Sequence, residues 1–339
     1  KGYICLGFLF SFLVVGLGLL GLRVSMFGTL ALIIGLSSLF LTFLLTLVGV
    51  TNLLVIGLFI VFVNVVQWLF APYLIDALYR VRRVSRGEAP RLYRIVERLS
   101  ERSGIKPPAV MVAGIPIPNA FAYGSPLTGY RVAVTSELLN CLEDEEVEAV
   151  IGHELGHLKH RDVQIMMFVS MLPAIFYYIG YSLLWSARFS GRDERSNAGL
   201  AALIGLVSIV VYWVLTLFTL YLSRLREYYA DRHSVSVVDD GARKLSEALA
   251  KIAYRTERVR RLNPRAVGSL GSFKALFIAD PDSAGRDVRD LASAGVLSSD
   301  WRIVEAYLRR RLTLADRIIE LFSTHPNMVK RLKALQELA

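Results

Sequence analysis

Apolar residues fill the beginning of the chain almost without interruption. From Gly2 to Ile75 the only charged residue is Arg23, and the first acid is Asp76. A helix crossing a bilayer needs roughly 20 apolar residues at 1.5 Å rise, so this block holds more than one. The breaks at Arg23 and at Gly49 to Asn52 divide it into about three spans, Tyr3 to Leu22, Met26 to Val48 and Leu53 to Ile75, with two long tilted spans as the competing division. The apolar character continues far past the short core of a signal peptide, which argues against a cleaved leader. The start at Lys1 reads as a trimmed N-terminus.

Two later apolar runs, Val163 to Ala187 and Leu200 to Leu222, flank a polar stretch from Arg188 to Ala198 and predict a membrane hairpin. A hairpin returns the chain to the side it left, so the polar parts on either side of it face one compartment and can form one domain. The expected organisation is 1–76 as an N-terminal transmembrane region, 77–162 as the first part of the polar domain, 163–222 as the hairpin and 223–339 as the second part.

Within the polar parts the pattern predicts a helix over Ala89 to Ser103, with Leu92, Ile95, Val96 and Leu99 on one face and Gly104 as its stop. Short strands follow at Ala109 to Val112 and Arg131 to Thr135, with another at Phe121 to Tyr123 between Pro and Gly breakers. Helical patterning returns over Asp144 to His160, Arg224 to Ser236, Gly241 to Arg261, Asp300 to Phe322 and Asn327 to Leu338, while Asn263 to Gly285 reads as loop. Glu143 to Glu146 place acid at the start of the Asp144 helix, where the macrodipole favours it.

Composition agrees with a membrane protein carrying one domain: 54% of residues are hydrophobic and the mean hydropathy is +0.47. The net charge of +10 gathers at juxtamembrane positions, among them Arg80, Arg82, Arg83, Arg86, Lys159, Arg161, Arg224 and Arg226, which makes that side cytoplasmic by the positive-inside rule. Charge placed at headgroup level, with no nucleic-acid motif, points to a lipid bilayer and away from nucleic acid. Cys5 and Cys141 are too few for a zinc ribbon or a disulfide framework and read as buried thiols.

The chemistry concentrates in His153-Glu154-Leu155-Gly156-His157. Residues four apart share a helix face, so both imidazoles grip one cation while Glu154 faces a water on it. Three of the five histidines, His153, His157 and His160, fall within eight residues, which sharpens a short motif. A catalytic zinc takes three protein ligands and keeps one position open. Glu227, just past the hairpin, is the expected third ligand, and Asp231, four residues on, is placed to hydrogen-bond a ligand imidazole. His160 and, more weakly, His233 are rival third ligands, and the bland alternative for Glu227 is an ion pair with Arg224 or Arg226.

With HELGH at 153–157, SRLREYYAD at 223–231, Asn119-Ala120-Phe121-Ala122, Phe277 to Pro281, and Thr324-His325-Pro326 with Arg331, the chain resembles the integral-membrane zinc metalloproteases. These include the HtpX-type quality-control proteases and, more distantly, the CAAX prenyl endopeptidases. The resemblance implies that His153, His157 and Glu227 bind Zn2+, that Glu154 is the general base, that Asp231 supports a ligand and that His325 stabilises the oxyanion. It also places the substrate-binding strand at Asn119, Ala120, Phe121 and Ala122. His160 stands where that family more often has Asn, which leaves its role open.

The expected fold class is mainly α: a multi-span helical membrane protein with an α+β zincin-like (gluzincin) catalytic domain carrying a small β-sheet. His157 lies six residues before Val163, so the metal should sit within roughly 10 Å of the membrane boundary. The expected substrates are misfolded or juxtamembrane segments of membrane proteins, cut at the cytoplasmic face. A prenyl-peptide endopeptidase, an inactive zinc-stabilised scaffold and a transporter are the alternatives. An intact Glu154 argues against the scaffold, and the near absence of charge in the spans argues against transport.

Overall fold

The computed structural model describes residues 53–189, 195–262, 278 and 300–339. The expected spans at Tyr3 to Leu22 and Met26 to Val48, and the expected loop at Asn263 to Gly285 apart from Ile278, lie outside the described residues. The protein is mainly helical with one small mixed sheet, and it divides into two units. One contains Leu69–Val163 and Arg224–Ala339; the other contains Gln164–Ser223 and a stretch ending at Trp68.

Among the described residues the first unit begins within helix α1 (Leu53–Leu78), which runs through the expected third span. Strand β1 (Arg82–Arg83), helix α2 (Pro90–Ser103) and strands β2 (Ala109–Ala113), β3 (Ala120–Ser125) and β4 (Gly129–Thr135) follow. The sheet order is β1-β2-β4-β3, with β2 and β4 parallel and the other pairs antiparallel, so β3 is an edge. Side chains alternate across it: Val110, Val132 and Val134 join α2 in the larger core, while Met111, Phe121, Tyr123 and Ala133 pack with Tyr79 and Ile117 on the other face. The edge strand is tied to α1, because Tyr123 donates to Asp76 Oδ1 at 2.6 Å and Ser125 Oγ donates to the Leu69 carbonyl at 3.0 Å. The two-residue β1 is invisible to periodicity, since an element that short has no period.

Helix α3 (Ser136–Cys141) leads into α4 (Asp144–Lys159), which carries HELGH. A capping box starts α4: the Glu143 side chain accepts from the Glu146 backbone, and Glu146 Oε2 accepts from the Glu143 N–H at 2.8 Å. From Ala149 to Gly156 every residue is buried, so α4 is the central helix of this unit. It stops at His160, and Arg161 takes a left-handed conformation (φ 55°) before α5 (Asp162–Phe189) begins.

Helix α6 (Arg195–Val237) merges the expected second apolar run and the expected Arg224 to Ser236 helix into one rod. Its last turns pack on α4 where α4 has no side chains. A Cβ on Gly152 would stand 3.1 Å from Ser234 Oγ, and one on Gly156 would stand 3.1 Å from Ala230 Cα. Ser234 Oγ also donates to the Ala149 carbonyl at 2.6 Å. Helix α7 (Gly241–Leu262) covers α4 with Leu245, Ala248, Leu249 and Ile252.

The expected Asp300 to Phe322 helix is broken in two, α8 (Asp300–Arg309) and α9 (Leu314–Leu321). Thr313 stops the first and starts the second: its Oγ1 accepts from Asp316 N at 3.1 Å while its own N–H donates to Asp316 Oδ2 at 2.9 Å. Helix α10 (Met328–Gln336) closes the chain, with Asn327 as its N-cap.

In the second unit, α5 and α6 are the two described helices long and apolar enough to cross a membrane. They meet through glycine: a Cβ on Gly180 would lie 3.0 Å from the Gly205 carbonyl oxygen, and the converse distance is the same. Phe168, Trp185, Leu206, Val210 and Trp213 face outward on these helices.

Candidate metal centre

The ligand side chains come from two helices whose site-bearing parts belong to one unit. Helix α4 presents His153 and His157 one turn apart, and the glycine-faced approach of α6 brings Glu227 beside them. The two Nε2 atoms face each other at 3.2 Å. Glu227 Oε1 lies 3.5 Å from His157 Nε2, and Oε2 lies 3.7 Å from His153 Nε2. One ligand atom from each residue falls within 4.8 Å of the others. Donors bound at about 2.0–2.1 Å around a tetrahedral ion stand about 3.3 Å apart, so this set fits a zinc-sized cation. Glu227 Oε2 is buried, with Arg331 Nη1 and His325 Nδ1 each 3.3 Å away and no well-aligned hydrogen bond among the described residues, so it keeps acceptor capacity for a cation.

The outer nitrogens fix the ring orientations. His153 Nδ1 lies 2.9 Å from Asp231 Oδ1, and His157 Nδ1 lies 2.6 Å from Asp162 Oδ2. A carboxylate on Nδ1 holds the proton there and leaves Nε2 free to ligate. Each carboxylate is in turn held by an arginine. Arg331 donates to Asp231 from Nε and Nη2, both at 2.7 Å, and Arg226 Nε stands 3.1 Å from Asp162 Oδ2. Arg331 Nη1 also lies 3.3 Å from Glu227 Oε2 and donates to the Ile278 carbonyl at 2.7 Å.

Burial pushes the Glu154 carboxyl up to about 7, against the lowering effect of His157 and of a hydrogen bond from the Ala122 backbone N–H. That is the range in which a carboxylate both takes and returns a proton. Burial lowers His153, and the Asp231 hydrogen bond does not reverse it. At His157 burial is outweighed by Asp162 and Glu227, which raise it.

The other sequence candidates separate clearly. His160 turns its ring onto Tyr229, with centroids 4.3 Å apart, and His233 Nε2 lies 2.9 Å from Ser103 Oγ; neither belongs to the ligand cluster. Arg224 donates to the Glu320 and Ser323 carbonyls and Arg226 pairs with Asp162, while Glu227 faces the two imidazoles. His325 is buried at the site with Nδ1 3.3 Å from Glu227 Oε2, and neither ring nitrogen has a hydrogen bond among the described residues. Along the expected substrate strand, Ala122 reaches Glu154 through its backbone and Phe121 packs inward. Asn119 is occupied: its Oδ1 accepts from the Ile278 N–H at 2.9 Å.

Sequence reading gave Asp162 and Arg331 no role, and weighed Arg226 only as a juxtamembrane charge and a rival partner for Glu227. Asp162 lies five residues past His157, beyond the helix, and only the left-handed turn at Arg161 carries it back.

The pattern of peptidase family M48 matches residues 87–339. The chain is 38% identical to the protease HtpX homolog of Thermoplasma acidophilum, covering 82% of this chain and 83% of that protein. It is 40% identical to the protease HtpX homolog of Aeropyrum pernix (81% and 82% covered) and 36% identical to protease HtpX homolog 2 of Saccharolobus solfataricus (86% and 87%). Among solved structures it is similar to Ste24p of S. mikatae, with a TM-score of 0.49 and 17% identity over 92% of this chain and 65% of that one. With a metallopeptidase pattern running from Gly87 to the last residue across both halves of the metal site, the chain belongs to peptidase family M48.

Proposed function

We propose that this metallopeptidase is a multi-pass membrane zinc endopeptidase of the HtpX type, with a zincin-like (gluzincin) catalytic domain formed by 77–162 and 223–339. The observation that carries it is the paired facing of two Nε2 atoms and one carboxylate, each imidazole backed by an acid, with Glu154 alongside. His153, His157 and Glu227 are the ligands. Zinc, when bound there, supplies Lewis acidity that acidifies water and polarises a peptide carbonyl.

The chain's own residues do the rest. Glu154 takes the proton from the attacking water and passes it to the leaving amine. His325, held at the site with Nδ1 3.3 Å from Glu227 Oε2, donates to the developing oxyanion. The free edge of β3 holds an extended substrate through main-chain hydrogen bonds, and Ala122 sets its register against Glu154. The substrates are misfolded or juxtamembrane segments of membrane proteins at the cytoplasmic face, a reading supported by the juxtamembrane arginines and by Glu227 lying five residues past Leu222, the end of the apolar run.

The test is Glu154→Gln. Purified variant and wild type should carry equal zinc, and the variant should lose nearly all cleavage of a model membrane protein. Zinc-free wild-type protein that cleaves, or a Gln variant that retains activity, would sink the assignment.

A further inference from the structure

Helix α9 has its polarity reversed for a helix on an aqueous surface. Its acids face inward: Asp316 is buried and accepts from Arg310 at 3.1 Å, and buried Glu320 accepts from Asn327 N at 3.1 Å and pairs with Lys330. Its large apolar side chains face outward: Leu314, Ile318 and Phe322 are 67%, 58% and 60% exposed. Their i, i+4, i+8 spacing puts them in one row, and Arg311 and Ala315 are exposed alongside.

The position of α9 says what covers that row. Arg224 is the second residue after Leu222, where the apolar run of α6 ends, and its Nη1 donates to the Glu320 and Ser323 carbonyls, each at 2.7 Å. The C-terminal end of α9 is therefore one arginine side chain away from the residue at which the chain leaves its apolar stretch. Arg311 and Arg317 flank the row with positive charge. An apolar stripe with cationic flanks fits the boundary between acyl chains and anionic headgroups. A row on an eight-residue helix is too small for a stable protein partner, which needs about 800 Å² on each side.

We infer that α9 is an interfacial helix, with Leu314, Ile318 and Phe322 seated in the bilayer and its arginines at headgroup level. The inference rests on the membrane reading above. It has a consequence for the site, because His325 follows Phe322 by three residues in a segment that Arg224 and Glu320 fasten. Seating α9 in lipid fixes the depth at which His325 meets a substrate, and so favours substrates held in the same membrane.

The experiment uses the full chain in lipid nanodiscs containing anionic lipid, with Cys5 and Cys141 replaced by alanine. Nitroxides are attached at Ile318→Cys, Phe322→Cys, Arg309→Cys as the aqueous control and Val210→Cys, exposed on the apolar part of α6, as the lipid control. Collisions with oxygen should exceed those with a water-soluble nickel chelate at 318, 322 and 210, and the order should reverse at 309. Nickel access at 318 and 322 with oxygen preference at 210 would overturn the inference alone, as would shielding of 318 from both reagents, the mark of a protein cover. Nickel access at 210 as well would overturn the membrane reading and this inference with it. As a second readout, Ile318→Asp should leave cleavage of a soluble peptide unchanged and slow cleavage of a membrane-anchored substrate several-fold; equal rates on the anchored substrate would overturn the functional consequence.

Discussion

His153 is backed by Asp231 and Arg331, which arrive from α6 and α10 into a corner where Arg331 is 1% exposed and touches Glu227 and Ile278 as well. His157 is backed by Asp162, at the junction where α4 gives way to α5, and Asp162 is paired with Arg226 of α6. The chemistry on the two rings is the same, a carboxylate on Nδ1 and a guanidinium on the carboxylate. The load differs. The His153 support is shared with the packing of three distant segments, so it answers for folding as well as for the ring; the His157 support joins the start of α5 to α6 and answers mainly for the ring.

The comparison breaks most visibly at Arg331. Replacing it with Met strands the buried carboxylates of Asp231 and Glu227 beside each other, a loss of about 3–5 kcal/mol of folding stability. Urea unfolding of the two proteins measures it, and coincident midpoints would mean the buried network carries no such load. Asp162→Ala should act on the metal instead. Zinc affinity, read by chelator competition, should fall about 10–100-fold, and the unfolding midpoint should fall less than in Arg331→Met, because one partly exposed guanidinium is left unpaired instead of two buried carboxylates. A large stability loss with unchanged zinc affinity would invert the comparison.

The smallest effect concerns protons. Zinc requires neutral imidazoles, so binding expels a proton from His157 wherever the pH is below its raised pKa, whereas His153, held low by burial, is already neutral there. Affinity should therefore weaken as pH falls, with a slope of about one proton in the near-neutral range. Asp162→Ala removes the partner that raises His157, and the onset should move to lower pH. A pH-independent affinity, or an unmoved onset, would count against the assignment.

Much of this was legible in the sequence because it is local. Period and caps predict α2, α4, α7 and the apolar helices, and i, i+4 spacing selects two imidazoles that do face each other at 3.2 Å. Glu227 was reachable because a hairpin must bring its two ends together. Arg331 and Asp231 lie 100 positions apart, and no spacing rule carries information over that separation. Asp162 was hidden by a single backbone angle at Arg161, and the break between α8 and α9 by a capping box inside an unbroken apolar pattern. The inward acids of α9 contradict the usual reading of its polar residues as a solvated face, which only burial reveals.

Gly152 and Gly156 decide more than how closely two helices approach. With a Cβ at either place nearly touching α6, their hydrogens set the separation between the rod that offers nitrogen and the rod that offers oxygen. Donor gaps of 3.2 to 3.7 Å suit a tetrahedral ion with bonds of about 2.0–2.1 Å, and two nitrogens with one carboxylate are far from the six to eight oxygens that calcium demands. One added methyl would open that aperture before altering any ligand, so the choice of ion is written partly in residues that never touch it.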